Sequence, residues 1–295
     1  MNKIDILKLK RFEPIYIIGH KNPDVDTVFS SYLLSNIFNF LGIESYPCTL
    51  EDNYKLDLYN KRIITDYLDY NPVVIKKDEI NKYNFVLVDH NDPIQSLENS
   101  ANIILCIDHH QNSNKLNNTI IGTSCANSLF IYKLFKDIYP FNDKEKQLIV
   151  VATFTDTLFL KTNRYKKEDE DLVKELGINL NNNEMLKKYF IPTDINLGIN
   201  NYIKNSDRDF SYEGVTFSSS VIQLLECNKQ IILDYKNAVL NKEDNHLGIL
   251  RDLGEGKTYA FFKIDDYYQE ISYDYVASRT TVLPEVYNYI KTLKK

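Results

Sequence analysis

The residues best able to do chemistry in this chain are its histidines and the acids beside them. Four of the five histidines fall in three short acidic motifs: Gly19-His20-Lys21-Asn22-Pro23-Asp24-Val25-Asp26-Thr27, Val88-Asp89-His90-Asn91-Asp92 and Ile107-Asp108-His109-His110. Only His246 stands apart, and it reads as a surface residue without a motif. Each motif follows a short apolar run that predicts a strand, so each sits at a strand carboxyl end, where open parallel sheets build their sites. Asp24 and Asp26 are two apart and lean toward neighbouring points, while His20 offers a nitrogen from the strand side. Asn22-Pro23-Asp24 is also good turn chemistry, and Asp26 with Thr27 could cap the next helix. Taken singly, each motif suits a satisfied polar residue at a strand end. Three of them converging on one edge of one sheet stack carboxylates that are costly unless cations neutralise them. A fourth acid, Asp156 in Phe154-Thr155-Asp156-Thr157, lies in an otherwise apolar helical stretch and also needs a partner.

Imidazole and carboxylate without thiolate suit Mn²⁺, Co²⁺ or Mg²⁺, with Zn²⁺ as a further candidate, better than a soft metal. Six or so ligands exceed the needs of one ion. A carboxylate shared by two ions gives the clamp used for phosphoryl hydrolysis, in which a bridging water becomes hydroxide near neutral pH and the phosphate is oriented for in-line attack.

Positioning such a site requires strands alternating with helices. Pro14 to Gly19 reads as a buried strand, followed by a 3.6-period segment from about Asp26 to Leu41. A second amphipathic segment, about Leu56 to Leu68, leads to the run Val73 to Ile75, and two more buried strands are predicted at Asn84 to Val88 and Asn102 to Ile107. That alternation implies crossovers and a mainly parallel sheet. Long helical patterns follow at about Cys125 to Ile138 and Asp143 to Leu158. The charged, Asn-rich stretch Thr162 to Lys188 reads as a solvated edge leading to a boundary. Beyond it, Val215 to Leu224, His246 to Leu250 and Thr258 to Ile264 predict strands of a smaller mixed α/β unit. The expected domains are 1–187 and 192–295.

Composition agrees with an ordinary folded globular protein. In 295 residues, 43% are hydrophobic and 26% charged, so a core forms without staples. Lys+Arg 35 against Asp+Glu 41 leaves a net charge of -6, which gives no global field for duplex nucleic acid. Four scattered cysteines, with no Cys-x-x-Cys, argue against a disulfide framework or thiolate zinc site and suit a reducing cytosol. No apolar stretch reaches membrane-spanning length. The expectation is a cytoplasmic protein with no membrane and no nucleic-acid partner.

Together, His20-x-Asn22-Pro23-Asp24-x-Asp26, Asp89-His90-Asn91, Asp108-His109-His110 and Asp156 resemble the four motifs of the DHH phosphoesterase superfamily. Gly-His-Lys-Asn-Pro-Asp with Val-Asp-His-Asn is most similar to family II, manganese-dependent inorganic pyrophosphatases. The resemblance extends through Gly122-Thr123-Ser124-Cys125 and Leu158 to Lys161 to a C-terminal Ser278-Arg279. It implies an α/β fold: an N-terminal DHH domain with a mainly parallel sheet flanked by helices, and a smaller mixed α/β C-terminal domain of DHHA2 type. It implies that His20 and Asp24 ligate one metal and Asp26, His109 and Asp156 the other, with Asp89 bridging. His110 would donate to the phosphoanhydride oxygen, with Asp108 supporting from behind. The small domain would close over the metals, so that catalysis falls in the interdomain cleft. Two or more Mn²⁺ ions are the implied cofactor, with Co²⁺ or Mg²⁺ as substitutes. Pyrophosphate is the implied substrate, and a homodimer through an N-terminal edge strand is a family habit.

The C-terminal half departs from the pattern. Where the family carries a lysine after the linker, Ser206-Asp207-Arg208-Asp209-Phe210 offers Arg208, which keeps the charge and adds a bidentate fork. The terminal Ser-Arg-Lys-Lys becomes Ser278-Arg279-Thr280-Thr281. Arg208 and Arg279 are the candidate substrate cations among only six arginines; as a bland alternative, both are ordinary surface charges. One lost cation weakens transition-state stabilisation by about 3 kcal/mol in comparable sites. A short-chain exopolyphosphatase, or another phosphoanhydride hydrolase of the superfamily, is therefore the alternative. A DHHA1-type nuclease would bring a Gly-Gly-His signature, and no Gly-Gly pair follows Asp156. A phosphate sensor would have lost ligands, and here every expected position is filled.

Overall fold

The computed structural model describes residues 6–51, 56, 58–97, 101–113, 115–162, 164–190 and 198–293. The chain divides into two units, Met1–Asn182 and Asn183–Lys295. The expected second-domain start at 192 lies outside the described residues.

In the first unit the buried apolar runs become strands of one six-stranded sheet: β1 (Ile15–Ile18), β2 (Ser45–Leu50), β3 (Val73–Ile75), β4 (Asn84–Val88), β5 (Asn102–Asp108) and β6 (Thr119–Ile121). Every pairing is parallel and the spatial order is β3-β2-β1-β4-β5-β6. The order runs outward from β1 in one direction and from β4 in the other, so the reversal lies between these two strands. That switch point opens a crevice at the strand carboxyl ends. Ile18 pairs with Leu87 and Val88 with Ile107, which brings the residues after β1, β4 and β5 to one edge.

The first-unit helices are α1 (Val25–Phe40), α2 (Leu58–Tyr67), α3 (Asn127–Phe135), α4 (Asp143–Asp156) and α5 (Lys167–Glu175). Helix α1 is buried nearly all round, through Val28, Phe29, Leu33, Leu34, Ile37 and Phe38, because it packs on the sheet and against α3 and α4. Asn142 opens α4 with a reciprocal capping box to Glu145. The stretch expected as a solvated edge instead forms α5 and a further helix, α6 (Asn182–Phe190). Asp169, buried inside α5, accepts from the Cys125 and Lys166 amides, at 3.1 Å in each case, and Leu172 and Leu176 are buried on the same side of the helix.

The second unit adds α7 (Ile199–Ser206), β7 (Arg208–Tyr212), β8 (Val215–Leu224), α8 (Lys229–Leu240), β9 (His246–Asp252), β10 (Lys257–Ile264), β11 (Tyr267–Tyr273) and α9 (Arg279–Leu293). Its sheet runs β11-β10-β9-β8-β7, antiparallel except for the parallel pair β8–β9 that α8 connects. One face packs Tyr235 and Val239 of α8 with Ile203 of α7; the other packs Val282, Val286 and Ile290 of α9. The architecture expected from sequence, a parallel α/β domain followed by a smaller mixed one, is the architecture present.

His246 is a correction. It is fully buried at the start of β9, its Nδ1 2.6 Å from Ser218 Oγ and its Nε2 2.8 Å from Ser220 Oγ. The cause is register: Ser218 pairs with His246 across β8 and β9, which places three polar side chains within a shared interior. Burial, with Lys242 and Arg279 nearby, pushes its pKa down to about 3, so this imidazole is neutral.

Candidate metal centre

The site begins where Gly19 ends β1. A Cβ at Gly19 would lie 2.0 Å from Thr27 Cγ2, so only glycine lets the N-terminus of α1 approach the strand this closely. Asp24 caps its own helix, accepting from the Thr27 amide at 2.9 Å. Asp26 does not cap that helix. Its two oxygens reach the start of α3, accepting from the Asn127 and Ser128 amides at 2.5 and 2.9 Å. Both carboxylates thus sit at helix N-termini, where the backbone dipole favours negative charge.

After β4, Asp89 takes a left-handed conformation (φ 62°), which turns its side chain back between the first and third motifs. It is 3% exposed. Oδ2 accepts from Thr27 Oγ1 and lies 3.6 Å from His20 Nε2; Oδ1 lies 3.2 Å from His109 Nε2. One carboxylate therefore presents a different oxygen to each of two imidazoles. Burial opposes its ionisation, yet those imidazoles hold its carboxyl well below the usual range.

His20 and His109 are oriented alike. Nδ1 of His20 lies 2.9 Å from the Lys21 carbonyl and Nδ1 of His109 lies 3.0 Å from the Ser124 carbonyl, so in each ring Nδ1–H donates to backbone. That fixes the tautomer and turns Nε2 toward carboxylates. His20 Nε2 is 3.6 Å from Asp24 Oδ2, and His109 Nε2 is 3.8 Å from Asp156 Oδ2. Asp89 Oδ1, His109 Nε2 and Asp156 Oδ2 are buried with no hydrogen-bond partner. Neutral imidazole lone pairs facing carboxylate oxygens repel unless a positive charge lies between them. Either protons or cations must supply it.

Without a cation the burden falls on protons. Burial disfavours charge on His109, but Asp89, Asp156 and Asp26 push its pKa up to about 10, and Asp24 with Asp89 raises His20 well above its usual value. Burial, reinforced by Asp89 and Asp156, lifts Asp26 to about 7, and burial also raises Asp156. Ligand atoms gather into three overlapping groups, each within 4.8 Å: His20, Asp24 and Asp89; Asp26, His109 and Asp156; and Asp89, Asp108, His109 and His110. The donor set, its orphaned atoms and its orientation suit divalent cations.

Asp108 and His110 stand behind and beside this pair. Asp108 is wholly buried; its Oδ1 accepts from the His109 amide at 2.8 Å and the His110 amide at 3.2 Å, and lies 2.9 Å from His110 Nδ1. Its Oδ2 accepts from Asn91 Nδ2. His110, by contrast, is 49% exposed in its side chain, so Nδ1 is anchored and Nε2 is open. His90 belongs to the motif but not to the centre: Nδ1 lies 2.8 Å from the Val88 carbonyl, Nε2 lies 2.6 Å from Ser96 Oγ, and burial pushes its pKa down to about 4.

The second-unit candidates lie together within that unit. Arg279 opens α9 beside Phe210 (5.6 Å to the ring centre), and its Nη2 donates to the Ser219 carbonyl at 3.2 Å. Burial, with Arg208 and Arg251 close by, pushes its pKa down to about 10. Its Nε is buried and unpartnered. Arg208 is exposed at the start of β7, paired in register with Ser219. The hydroxyls of Thr280 and Thr281, which stand where lysines are expected, lie 2.6 and 2.8 Å from Ser278 Oγ. Sequence reading did not single out Arg251 or Arg164, which is 3.1 Å from Asp156 Oδ1. The scarcity of arginine is the available signal, since the chain has only six.

Residues 14–160 match the model of the DHH family, N-terminal domain. The chain is 27% identical over 178 residues to the manganese-dependent inorganic pyrophosphatase of Bacillus subtilis, covering 56% of this chain and 55% of that one. It is 26% identical over 172 residues to the enzyme of the same name from Methanothrix thermoacetophila, covering 55% and 53%. The matched segment thus spans about half the length of these curated relatives. A crystal structure from Methanococcus jannaschii, assigned to the family II inorganic pyrophosphatases, shares the fold at a TM-score of 0.70 and 19% identity, covering 93% of this chain and 98% of that one. Among the described residues no helix is long and apolar enough to cross a membrane. The parallel sheet, its switch-point cluster of imidazoles and carboxylates, and the family match together show that the chain carries a DHH-family N-terminal domain across residues 14–160.

Proposed function

We propose that the chain is a manganese-dependent hydrolase that splits inorganic pyrophosphate into two phosphates. The observation that carries this reading is Asp89, buried with one oxygen toward His20 and the other toward His109. In this reading His20, Asp24 and Asp89 hold one Mn²⁺, and Asp26, His109 and Asp156 hold the second with Asp89 shared. A pair of dications supplies Lewis acidity, acidifying water and neutralising charge that develops on phosphate oxygens. Co²⁺ or Mg²⁺ meets the same donor set with less or more demand for oxygen.

The chain's own residues do the rest. His110, with Nδ1 fixed by Asp108, presents Nε2 as a hydrogen-bond or proton donor to the anhydride oxygen, whose charge grows as the bond breaks. Its raised pKa, which burial opposes but the Asp108 carboxylate enforces, keeps a proton available near neutrality. Arg208 and Arg279 are the cations for the phosphate oxygens, with Arg251 close enough to Arg279 to strengthen the positive field. The relatives' names support this substrate, as does the pattern of ligands. The substrate is a small anion, and the protein acts in the cytoplasm.

Thr280 and Thr281 favour one second reading. With their hydroxyls turned to Ser278 they supply no positive charge, which relaxes the demand for a two-phosphate substrate and admits short polyphosphate. The test is phosphate release from pyrophosphate, tripolyphosphate and longer chains by metal-free protein given Mn²⁺. The expected result is Mn²⁺-dependent hydrolysis of pyrophosphate in preference to the others. Hydrolysis of tripolyphosphate with none of pyrophosphate would install the second reading, and no release from any would remove both.

A further inference from the structure

Asp156 closes α4, and its two carboxylate oxygens meet different surroundings. Oδ1 is ion-paired with Arg164, 3.1 Å from its Nη2, and the same nitrogen donates to the Asp156 carbonyl. Oδ2 is buried and unpartnered, 3.8 Å from His109 Nε2. The chain is shaped to bring the guanidinium back. Leu158, Phe159 and Leu160 all take left-handed conformations (φ 49°, 57° and 65°), which non-glycine residues seldom adopt singly. Phe159 anchors this turn at 1% exposure, and Thr157 Oγ1 accepts from the Leu160 amide at 3.2 Å. Eight residues after Asp156, Arg164 thus returns to that residue's own carboxylate and carbonyl.

We propose that Arg164 is a positioning residue that makes Asp156 a one-oxygen ligand and thereby sets the cation preference of the Asp26–His109–Asp156 pocket, favouring Mn²⁺ over Ca²⁺. This rests on the reading of those three residues as ligands. Ca²⁺ takes about six to eight oxygens and commonly chelates a carboxylate through both of its own. With Oδ1 committed to Arg164, Asp156 offers Oδ2 alone. Asp26 is equally constrained, since each of its oxygens already accepts a backbone amide. The other donors are one oxygen of the shared Asp89 and an imidazole nitrogen, which suits Mn²⁺ better than Ca²⁺. Four single-atom donors match an ion that tolerates few ligands and regular geometry, and starve one that needs many.

Arg164 also carries a charge, which opposes any dication nearby. That effect bears equally on Mn²⁺ and Ca²⁺, so the ratio of their affinities isolates the orientation effect. The experiment is calorimetric titration of the metal-free full chain with Mn²⁺ and with Ca²⁺, for wild type, Arg164→Gln and Arg164→Lys, with thermal melts in chelator as a control for folding. Freeing Oδ1 in Arg164→Gln should lower the Mn²⁺/Ca²⁺ affinity ratio about tenfold, the lower end of what outer-shell partners contribute. Arg164→Lys keeps the charge but loses the planar fork, and its ratio should fall part of the way. Should Arg164→Gln not fold, Arg164→Lys alone decides. An unchanged ratio, with both affinities moving together, would overturn the proposal and leave Arg164 as a charge only. The ligand reading fails differently: Asp156→Asn would then leave both affinities as in wild type, which overturns this proposal along with it.

Discussion

Replacing Asp89 by Asn keeps side-chain volume and retains an oxygen able to accept from Thr27, but it removes the one charge that faces both pockets. Oδ1 is 3.2 Å from His109 Nε2 and Oδ2 is 3.6 Å from His20 Nε2, in a side chain 3% exposed. Stripping one partner from a buried charged pair costs about 3–5 kcal/mol. At about 1.4 kcal/mol per decade that is a loss of about two to four orders of magnitude in affinity, and here it applies to each of two ions. Metal content after dialysis, read by mass spectrometry, together with calorimetric titration, measures it. Asp89→Asn should lose both Mn²⁺ equivalents together, and phosphate release from pyrophosphate should fall in step. Retention of one equivalent at wild-type affinity would refute the reasoning, because Asp89 would then serve a single pocket.

Proton release should accompany metal binding. At pH 7, metal-free His109 (about 10) and His20 (raised well above normal) hold protons, and Asp26 (about 7) is half protonated. Binding must displace about two to three protons, so affinity climbs with pH between 6 and 8; equal binding heats in buffers of different ionisation enthalpy would contradict this. In metal-free protein the raised His109 pKa contributes stability that is complete below about 6.5 and is lost as pH rises through about 10. Thermal midpoints should therefore fall from pH 6.5 toward 10 without metal, and hold with it. Asp108→Asn should slow hydrolysis about 10- to 100-fold while two ions stay bound, since Asp108 anchors His110 Nδ1; loss of metal with no effect on rate would reverse its assigned role. His246→Phe should destabilise the second unit by about 1–3 kcal/mol in denaturant titration, because Ser218 loses its imidazole partner and Ser220 keeps only Tyr235; Mn²⁺ stoichiometry should not change.

How much of this was legible in the sequence differs by element. Ile15–Ile18 and Asn84–Val88 announce themselves because strands buried on both faces are continuously apolar, and their polar successors mark the strand ends. β2 escapes notice, since Ser45-Tyr46-Pro47-Cys48-Thr49-Leu50 has neither alternation nor an apolar run; its strand is imposed by pairing with β1 on one side and β3 on the other. Charge likewise hides α5, whose Asp169 is buried where it accepts from the distant Cys125 amide as well as from Lys166 at the helix's own start. The candidate residue types stand in the motifs themselves, while their grouping is what the family resemblance implies. What spacing cannot convey is that Asp26 faces α3 rather than its own helix, which depends on a contact about a hundred residues away, or that Arg164 loops back onto Asp156, which depends on the left-handed turn at Leu158 to Leu160. His246 was misjudged for the same reason: isolation in sequence says nothing of the partners that sheet register provides.

The most direct test of two cations sharing Asp89 is anomalous scattering at the manganese edge from crystals grown with Mn²⁺. Two peaks are expected in the first unit, one between His20, Asp24 and Asp89 and the other between Asp26, His109, Asp156 and the second oxygen of Asp89. A single peak, or two peaks that both leave Asp89 uncoordinated, would contradict it.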